Sequence, residues 1–137
     1  MVGAMTGACL CGAVRFEGRG APAGVSVCHC GQCRRWSAGP LMVTRFEDGV
    51  SLAEGSPLAW YASSDHGERG FCARCGSTLF WRVPGAGRNW EVSVNALGDG
   101  HGLAIAEHIW VDFQPGWYAF ADNAPRRGSA ECLAEDD

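Results

Sequence analysis

The sequence has no long apolar run and no clustered basic face, and both absences narrow its function. None of its apolar stretches reaches the roughly 20 residues that a helix needs to span a bilayer. The chain of 137 residues carries a net charge of −4, whereas nucleic-acid-binding surfaces usually concentrate basic side chains on one face. We therefore expect neither a membrane nor a nucleic acid as a partner.

The beginning of the chain also lacks the features of a secretory signal peptide. Residues 1–8 show no charged segment followed by a long apolar run. We therefore expect a cytoplasmic protein. In that reducing compartment, cysteines serve metal binding or catalysis more often than disulfides.

Helical periodicity is absent as well. No segment of 11 or more residues repeats its apolar positions with the period of a helix, so helix is expected only in single turns, best at residues 31–36. Alternating or β-branched segments predict strands at residues 13–17, 25–28, 41–46, 78–83, 91–94 and 108–111. We predict one mainly β domain over residues 1–137, with a core of about residues 6–125 and a polar, mobile tail at 126–137.

What the sequence does contain is cysteine in tight groups. Seven of the eight cysteines form three clusters: Cys9 with Cys11, Cys28 with Cys30 and Cys33, and Cys72 with Cys75. Cysteines one residue apart rarely bridge each other, because disulfide geometry restricts their Cα and Cβ positions. Disulfides between the clusters would leave one of the seven cysteines unpaired. A closed structural zinc site takes four ligands and a catalytic one takes three, so the sequence predicts two zinc ions per chain.

The first and third clusters are predicted to form the closed site. Cys9 and Cys11 lie at a turn before a predicted strand, and Cys72 and Cys75 have the two-residue gap of a zinc knuckle. One ion would join these sequence-distant pairs. The alternative is a thioredoxin-like redox pair at Cys72 and Cys75, although no βαβ pattern surrounds them.

The middle cluster is predicted to be a catalytic tripod. In an extended segment Cys28 and Cys30 point to the same face, and a turn would bring Cys33 back towards them. Three thiolates leave one zinc coordination position for water or substrate. The alternative is a structural site closed by a distant histidine or aspartate. The histidines available for that role are His66, His101 and His108.

Residues next to the tripod are candidates for supporting roles. His29 should point away from the thiolates, so we predict a packed or hydrogen-bonded residue rather than a ligand. Arg34 and Arg35 would lower the pKa of the thiolates and attract a substrate that carries carboxylates. Alternatively, both arginines are simply solvated. His108 and Trp110 are predicted to lie in the core or in a pocket wall.

Together these residues resemble the glutathione-dependent formaldehyde-activating enzyme family, which includes centromere protein V. The matching stretches are GACLCGAV at 7–14, CHCGQCRR at 28–35, RGFCARCGSTL at 69–79 and EHIW at 107–110. The resemblance implies a zinc-binding β-tent of several coiled antiparallel sheets. It also implies a structural zinc on Cys9, Cys11, Cys72 and Cys75 and a second zinc on Cys28, Cys30 and Cys33.

The activity that the resemblance implies is that of a carbon–sulfur lyase, S-(hydroxymethyl)glutathione synthase, which joins formaldehyde to its co-substrate glutathione. Three alternatives stay open: a different thiol or aldehyde substrate, a glutathione-binding carrier, and a zinc-stabilised interaction module. A fourth protein ligand at the tripod would favour the interaction module. The sequence leaves the oligomeric state open, a homodimer included.

Overall fold

The computed structural model describes residues 4–135, and strands dominate this part of the chain. The strands are β1 Met5–Ala8, β2 Arg15–Gly18, β3 Val25–Cys28, β4 Leu41–Arg45, β5 Val50–Leu52, β6 Leu58–Ser64, β7 Gly67–Cys72, β8 Thr78–Arg82, β9 Glu91–Ser93, β10 Ile105–Ile109 and β11 Arg126–Arg127. The α-helices are α1 Gly31–Ser37 and α2 Ser129–Glu135, and short 3-10 helices cover Val94–Ala96 and Val111–Phe113. The prediction of a mainly β fold is confirmed.

Two compact units make up the chain. The first comprises the chain up to Ala23 together with Val43–Gly102, and the second comprises Gly24–Met42 and the chain from Leu103 onwards. Among the described residues, no helix has the length and apolar character required to cross a bilayer.

The first unit is built from antiparallel strands. Strands β1, β2 and β5 pair in that order, and β4, β9, β8, β7 and β6 form a second antiparallel series. Its core is aromatic: Phe16 and Phe80 meet edge to face with ring centroids 4.9 Å apart, and Trp90 packs 5.0 Å from Phe80. All three side chains are buried, which is how apolar faces of twisted sheets are stabilised.

The second unit is built on parallel pairing. Strand β10 lies between β3 and β11 and is parallel to both, unlike the antiparallel sheets that the resemblance implied. Ile109 stands opposite Cys28, at the point where β3 ends. The His29 amide then donates to the Ile109 carbonyl at 3.1 Å, which holds the start of the cysteine loop against β10.

The predicted helical turn is confirmed, and the predicted strand at 108–111 is partly wrong. Helix α1 covers the segment expected to turn and extends to Ser37. Strand β10 ends at Ile109 because Trp110 adopts a left-handed backbone conformation with φ of 58°, which stops the ladder. Trp110 is half-buried, with its ring 5.8 Å from that of Phe113.

The segment from residue 126 that was predicted to be a polar, mobile tail forms β11 and α2 in the part that the structure describes. Arg127 forms an ion pair with Glu107. At the start of α2, the Ser129 amide and hydroxyl donate to the Asp112 carboxylate at 2.9 and 2.6 Å. These contacts join β11 and α2 to the rest of the second unit. Residues 136 and 137 lie outside the described residues.

Candidate metal centres

The first candidate centre lies at two turns of the first unit. Cys9 and Cys11 occupy the turn after β1, while Cys72 ends β7 and Cys75 lies in the turn that follows. The four sulfur atoms lie within 4.8 Å of one another, with Cys9 Sγ 3.6 Å from Cys11 Sγ and Cys11 Sγ 3.8 Å from Cys72 Sγ. A tetrahedral ion with Zn–S bonds of about 2.3 Å places its sulfurs roughly 3.8 Å apart. The cluster therefore fits a tetrahedral metal ion.

Backbone amides approach the sulfurs of this centre. The Val14 amide donates to Cys9 Sγ at 3.3 Å, and the Arg74 and Cys75 amides donate to Cys72 Sγ at 3.3 and 3.4 Å. Such donors stabilise a thiolate relative to a thiol. Local folding of the turns thus prepares the sulfurs for a cation.

The acidity of the thiols follows from these contacts. A hydrogen bond from the Ser77 hydroxyl, 3.2 Å from Cys75 Sγ, is the main cause that lowers the pKa of Cys75 to about 5. Burial raises the pKa of Cys9, but the Val14 amide and the neighbouring thiols lower it overall. All cysteines are free thiols, and the grouping of Cys72 and Cys75 with a second cysteine pair favours a metal centre over a redox pair.

The second candidate centre is the tripod, formed by Cys28, Cys30 and Cys33 in the second unit. Cys28 ends β3, Cys30 caps the start of α1, and Cys33 lies in its first turn, where its amide donates to Cys30 Sγ at 3.4 Å. The three sulfurs lie within 4.8 Å of one another. Cys28 and Cys33 are buried and Cys30 is half-buried, so Cys30 is the most accessible of the three.

Two thiols of the tripod, Cys28 and Cys30, differ in acidity. Hydrogen bonds from Cys28 and Cys33, together with the Cys33 and Gln32 amides, lower the pKa of Cys30 to about 2. The same thiol contacts, with burial, raise the pKa of Cys28. The neighbouring thiols and amides, rather than the predicted arginines, are the largest causes of the shift at Cys30. A cation bound here would displace the remaining protons, because metals bind thiolates.

The tripod gains no fourth ligand from the described residues. Among residues 4–135, the group of mutually close ligand atoms contains the three cysteines and none of the histidines considered above. His108 in particular directs its ring nitrogens to His29 and Asp122 instead. The two centres therefore differ in ligand number, four against three.

Both predicted arginines lie beside the tripod loop. A Cβ atom built on Gly31 would be 2.8 Å from Arg35 Nη1 and 3.8 Å from Arg34 Nη2, so both guanidinium groups lie over this residue between Cys30 and Cys33. Arg34 is half-buried and donates from Nε to the His29 carbonyl at 3.0 Å. Arg35 is exposed, which makes it the arginine available to a ligand.

His29, which lies between Cys28 and Cys30 in the sequence, belongs to a hydrogen-bond chain of buried and half-buried side chains. His29 Nδ1 is 2.7 Å from Tyr118 Oη, and His29 Nε2 is 2.9 Å from His108 Nδ1. His108 Nε2 lies 2.9 and 3.1 Å from the two carboxylate oxygens of Asp122. Both histidines are at most 1 % exposed, which confirms His29 as a hydrogen-bonded residue and His108 as a core residue. Tyr118 and Asp122 were missed, because no motif or spacing marks them.

The charges along this chain follow from its surroundings. Burial, followed by the charges of His108, Arg126 and Arg34, lowers the pKa of His29 to about 4, so His29 is neutral at pH 7. Burial raises the pKa of Asp122, but hydrogen bonds from His108 and the Ala124 amide lower it overall. Asp122 is therefore ionised and accepts hydrogen bonds only.

Comparison with known proteins found similar sequences and a similar fold. The chain is 28% identical over 116 residues to a Schizosaccharomyces pombe protein described as an uncharacterized lyase, covering 85% of each chain. A crystal structure of a Rhodobacter sphaeroides protein superposes with a TM-score of 0.60 at 20% identity, covering 89% of this chain and 99% of the other, which shows a shared fold. The family model described as glutathione-dependent formaldehyde-activating enzyme matches residues 4–112 and so spans both cysteine centres. The chain therefore belongs to the glutathione-dependent formaldehyde-activating enzyme family.

Proposed function

We propose that this protein is a zinc-dependent carbon–sulfur lyase that acts on a thiol–aldehyde adduct at the tripod. One observation carries the proposal: the first centre has four thiol ligands, whereas the tripod has three and gains no other from residues 4–135. Structural zinc sites are closed by four protein ligands, and catalytic sites keep a position open. The family and the yeast relative described as a lyase support the same class of reaction.

The chemistry of the donors fits zinc at both centres. Thiolate sulfur is a soft ligand that zinc binds well, and the sulfur separations of the first centre match a tetrahedral ion. We assign one ion to the four-cysteine centre as a structural metal and one to the tripod. Zinc bound at the tripod supplies a Lewis acid that can hold a thiolate or polarise a carbonyl oxygen.

Glutathione is the thiol that we propose as co-substrate, with formaldehyde as the aldehyde. Glutathione carries two carboxylates, and the exposed Arg35 beside Gly31 can bind one of them through charge-assisted hydrogen bonds. Arg34 adds positive charge at the same loop while it holds the His29 carbonyl. The proposed partners are thus small molecules in the cytoplasm, and the reaction requires neither a nucleic acid nor a membrane.

The decisive experiment joins metal analysis to glutathione titration. We expect two zinc ions per chain, one for each centre, and a calorimetric signal when glutathione is added to the zinc-loaded protein. S-methylglutathione, which lacks a free thiol, should bind more weakly. Exchange NMR should show that the protein accelerates interconversion of glutathione with its hydroxymethyl adduct.

Each other outcome points to a different function. Glutathione binding without faster exchange would indicate a carrier. No heat and no change in melting temperature at millimolar glutathione would remove glutathione and leave another substrate or an interaction module. A folded, zinc-free protein with bridged cysteines would refute the metal centres.

A further inference from the structure

The cysteines of the tripod are close enough to react with one another as well as to bind a metal. Their three sulfur atoms lie within 4.8 Å of one another, and all three are free thiols. Oxidation of two of them would form a disulfide, and a sulfur in a disulfide no longer serves as a thiolate ligand. The geometry of the loop decides which pair is suited to this reaction.

Cys30 and Cys33 are the pair that the loop favours. Cys28 and Cys30 are one residue apart in the sequence, a spacing at which disulfide geometry is rarely met. Cys30 and Cys33 instead have the Cys-x-x-Cys spacing of dithiols that exchange with disulfides. They lie in one turn at the start of α1, where the Cys33 amide donates to Cys30 Sγ at 3.4 Å.

The two thiols of this pair differ in accessibility. Cys30 is half-buried, whereas Cys33 and Cys28 are only 5% and 9% exposed. An oxidant from solvent therefore reaches Cys30 first and has the buried Cys33 beside it. Redox-sensitive cysteines combine an accessible thiol with a second, resolving thiol in this way.

The charge beside the loop favours glutathione disulfide as the oxidant. Arg35 is exposed, and its Nη1 atom would lie 2.8 Å from a Cβ atom on Gly31, the residue that follows Cys30. This guanidinium group can hold a carboxylate of the oxidant through charge-assisted hydrogen bonds. Glutathione disulfide carries the carboxylates of both its halves, so it meets this requirement better than a neutral disulfide does.

We propose that Cys30 and Cys33 are a redox modification site, at which glutathione disulfide forms a bridge that excludes the second zinc. This inference rests on the proposed function, which assigns zinc and glutathione to the tripod. The bridge leaves Cys28 as the remaining thiol of the tripod, and one ligand is too few for a protein zinc site. The ratio of glutathione to its disulfide would then set how much of the protein has a loaded tripod.

The reaction balances in two exchange steps. The Cys30 thiolate attacks one sulfur of glutathione disulfide, so that the S–S bond of the oxidant breaks and one glutathione thiolate leaves with the electron pair. The Cys33 thiolate then attacks the Cys30 sulfur and expels the second glutathione thiolate. The protein pair has lost two electrons and the oxidant has gained them. Both glutathione thiolates take a proton from solvent.

The four-cysteine centre should resist this oxidation. Cys72 and Cys75 have the same spacing, but two further cysteines complete their ligand set, and Cys72 is fully buried. Loss of a closed structural zinc is coupled to unfolding. Oxidation should therefore lower the zinc content from two ions per chain to one, while the fold is kept.

The test uses zinc-loaded protein that carries Cys132→Ser, which removes the cysteine outside both centres. Glutathione disulfide should release one zinc ion per chain, measured with a chromophoric chelator, and peptide mass spectrometry should place one disulfide at Cys30 and Cys33. Dithiothreitol with added zinc should restore the second ion. The disulfide of 2-mercaptoethanol, which is neutral, should react more slowly, and Arg35→Ala should remove that difference.

Two further variants are read by mass and so do not depend on zinc content or activity. Cys33→Ser keeps the attacking thiol and removes the resolving one, so it should accumulate a glutathione adduct on Cys30. Cys30→Ser should form neither an adduct nor a bridge at the tripod. A wild-type bridge that includes Cys28, or an adduct at the tripod of Cys30→Ser, would overturn the assignment of the pair.

Failure of this inference can be told apart from failure of the proposed function. If wild-type protein holds two zinc ions and accelerates exchange, yet keeps both ions and all its thiols in millimolar glutathione disulfide, the redox site is refuted and the proposed function stands. If fully reduced protein holds zinc at the four-cysteine centre alone, the proposed function fails, and the exclusion of a second zinc fails with it.

Discussion

Replacing Cys72 by serine should unfold most of the protein if the first centre holds a structural zinc. Cys72 is fully buried, and its sulfur accepts hydrogen bonds from the Arg74 and Cys75 amides. The same sulfur lies 3.8 Å from Cys11 Sγ. A serine hydroxyl is a poor zinc ligand, so Cys72→Ser removes one of the four ligands and weakens the centre as a whole.

The expected loss is large compared with the stability of the protein. Structural zinc contributes about 10–16 kcal/mol of apparent binding free energy in small zinc domains at pH 7, whereas a domain of ordinary size is stable by about 5–15 kcal/mol. Loss of even half of the metal contribution would therefore populate the unfolded state. Cys30→Ser should behave differently, because serine is itself a preferred residue at the start of a helix and Cys30 caps α1.

Thermal melting followed by circular dichroism, with zinc measured on the same samples, tests this reasoning. Cys72→Ser should lose most of its folded signal, and Cys30→Ser should lose about one zinc ion while it keeps most of its fold. The control is Cys132→Ser in α2, outside both centres, for which we expect a change within about 0.5 kcal/mol. Equal losses of melting temperature in the Cys72 and Cys30 variants would mean that both metals are structural.

Three further predictions concern other parts of the chain. Replacing both Arg34 and Arg35 by alanine should lower the affinity for glutathione measured by calorimetry, make that affinity less sensitive to salt, and leave the zinc content unchanged. An unchanged affinity would mean that both arginines are simply solvated. Gly7→Ala should destabilise the protein by about 1–3 kcal/mol in urea unfolding, because its Cβ would lie 2.2 Å from Phe16 Cζ, whereas Gly100→Ala, with open space around it, should not. A hydrogen bond from the Ser129 hydroxyl lowers the pKa of Asp112. The contact that attaches α2 should therefore persist above about pH 4 and weaken as the pH falls below that value. Hydrogen exchange of the α2 amides measures this, and exchange rates that do not change over this range would contradict the prediction.

The cysteine centres could be predicted from the sequence because their chemistry is local. Each of the three clusters contains residues that a single turn brings together, and a Cys-x-x-Cys spacing at a turn has few other uses. Strand β3 was predicted at its observed bounds, since its β-branched residues end at the cysteine loop. The division into four and three ligands also followed from the count alone.

The hydrogen-bond chain could not be predicted, because its members meet only through tertiary structure. His29 joins Tyr118 and His108 because β3 and β10 pair in parallel, with His108 opposite Val27. No periodicity in a single sequence specifies which distant strands pair in parallel. Helix α2 was not predicted for a similar reason, since the Ser129 amide at its start donates to Asp112, 17 residues away.

The chain separation of the ligands gives a physical reason why the two centres should differ in role. In the first centre, Cys11 and Cys72 lie 61 residues apart, whereas Cys28 and Cys33 of the tripod are separated by only five. The entropy of closing a loop grows with the logarithm of its length, so a metal that joins the first pair restrains the unfolded chain by roughly 2 kcal/mol more than one that joins the second. A metal at the first centre therefore acts mainly on folding. A metal at the tripod restrains a loop that β3 and α1 already hold, which leaves its binding energy and its open position available for a ligand.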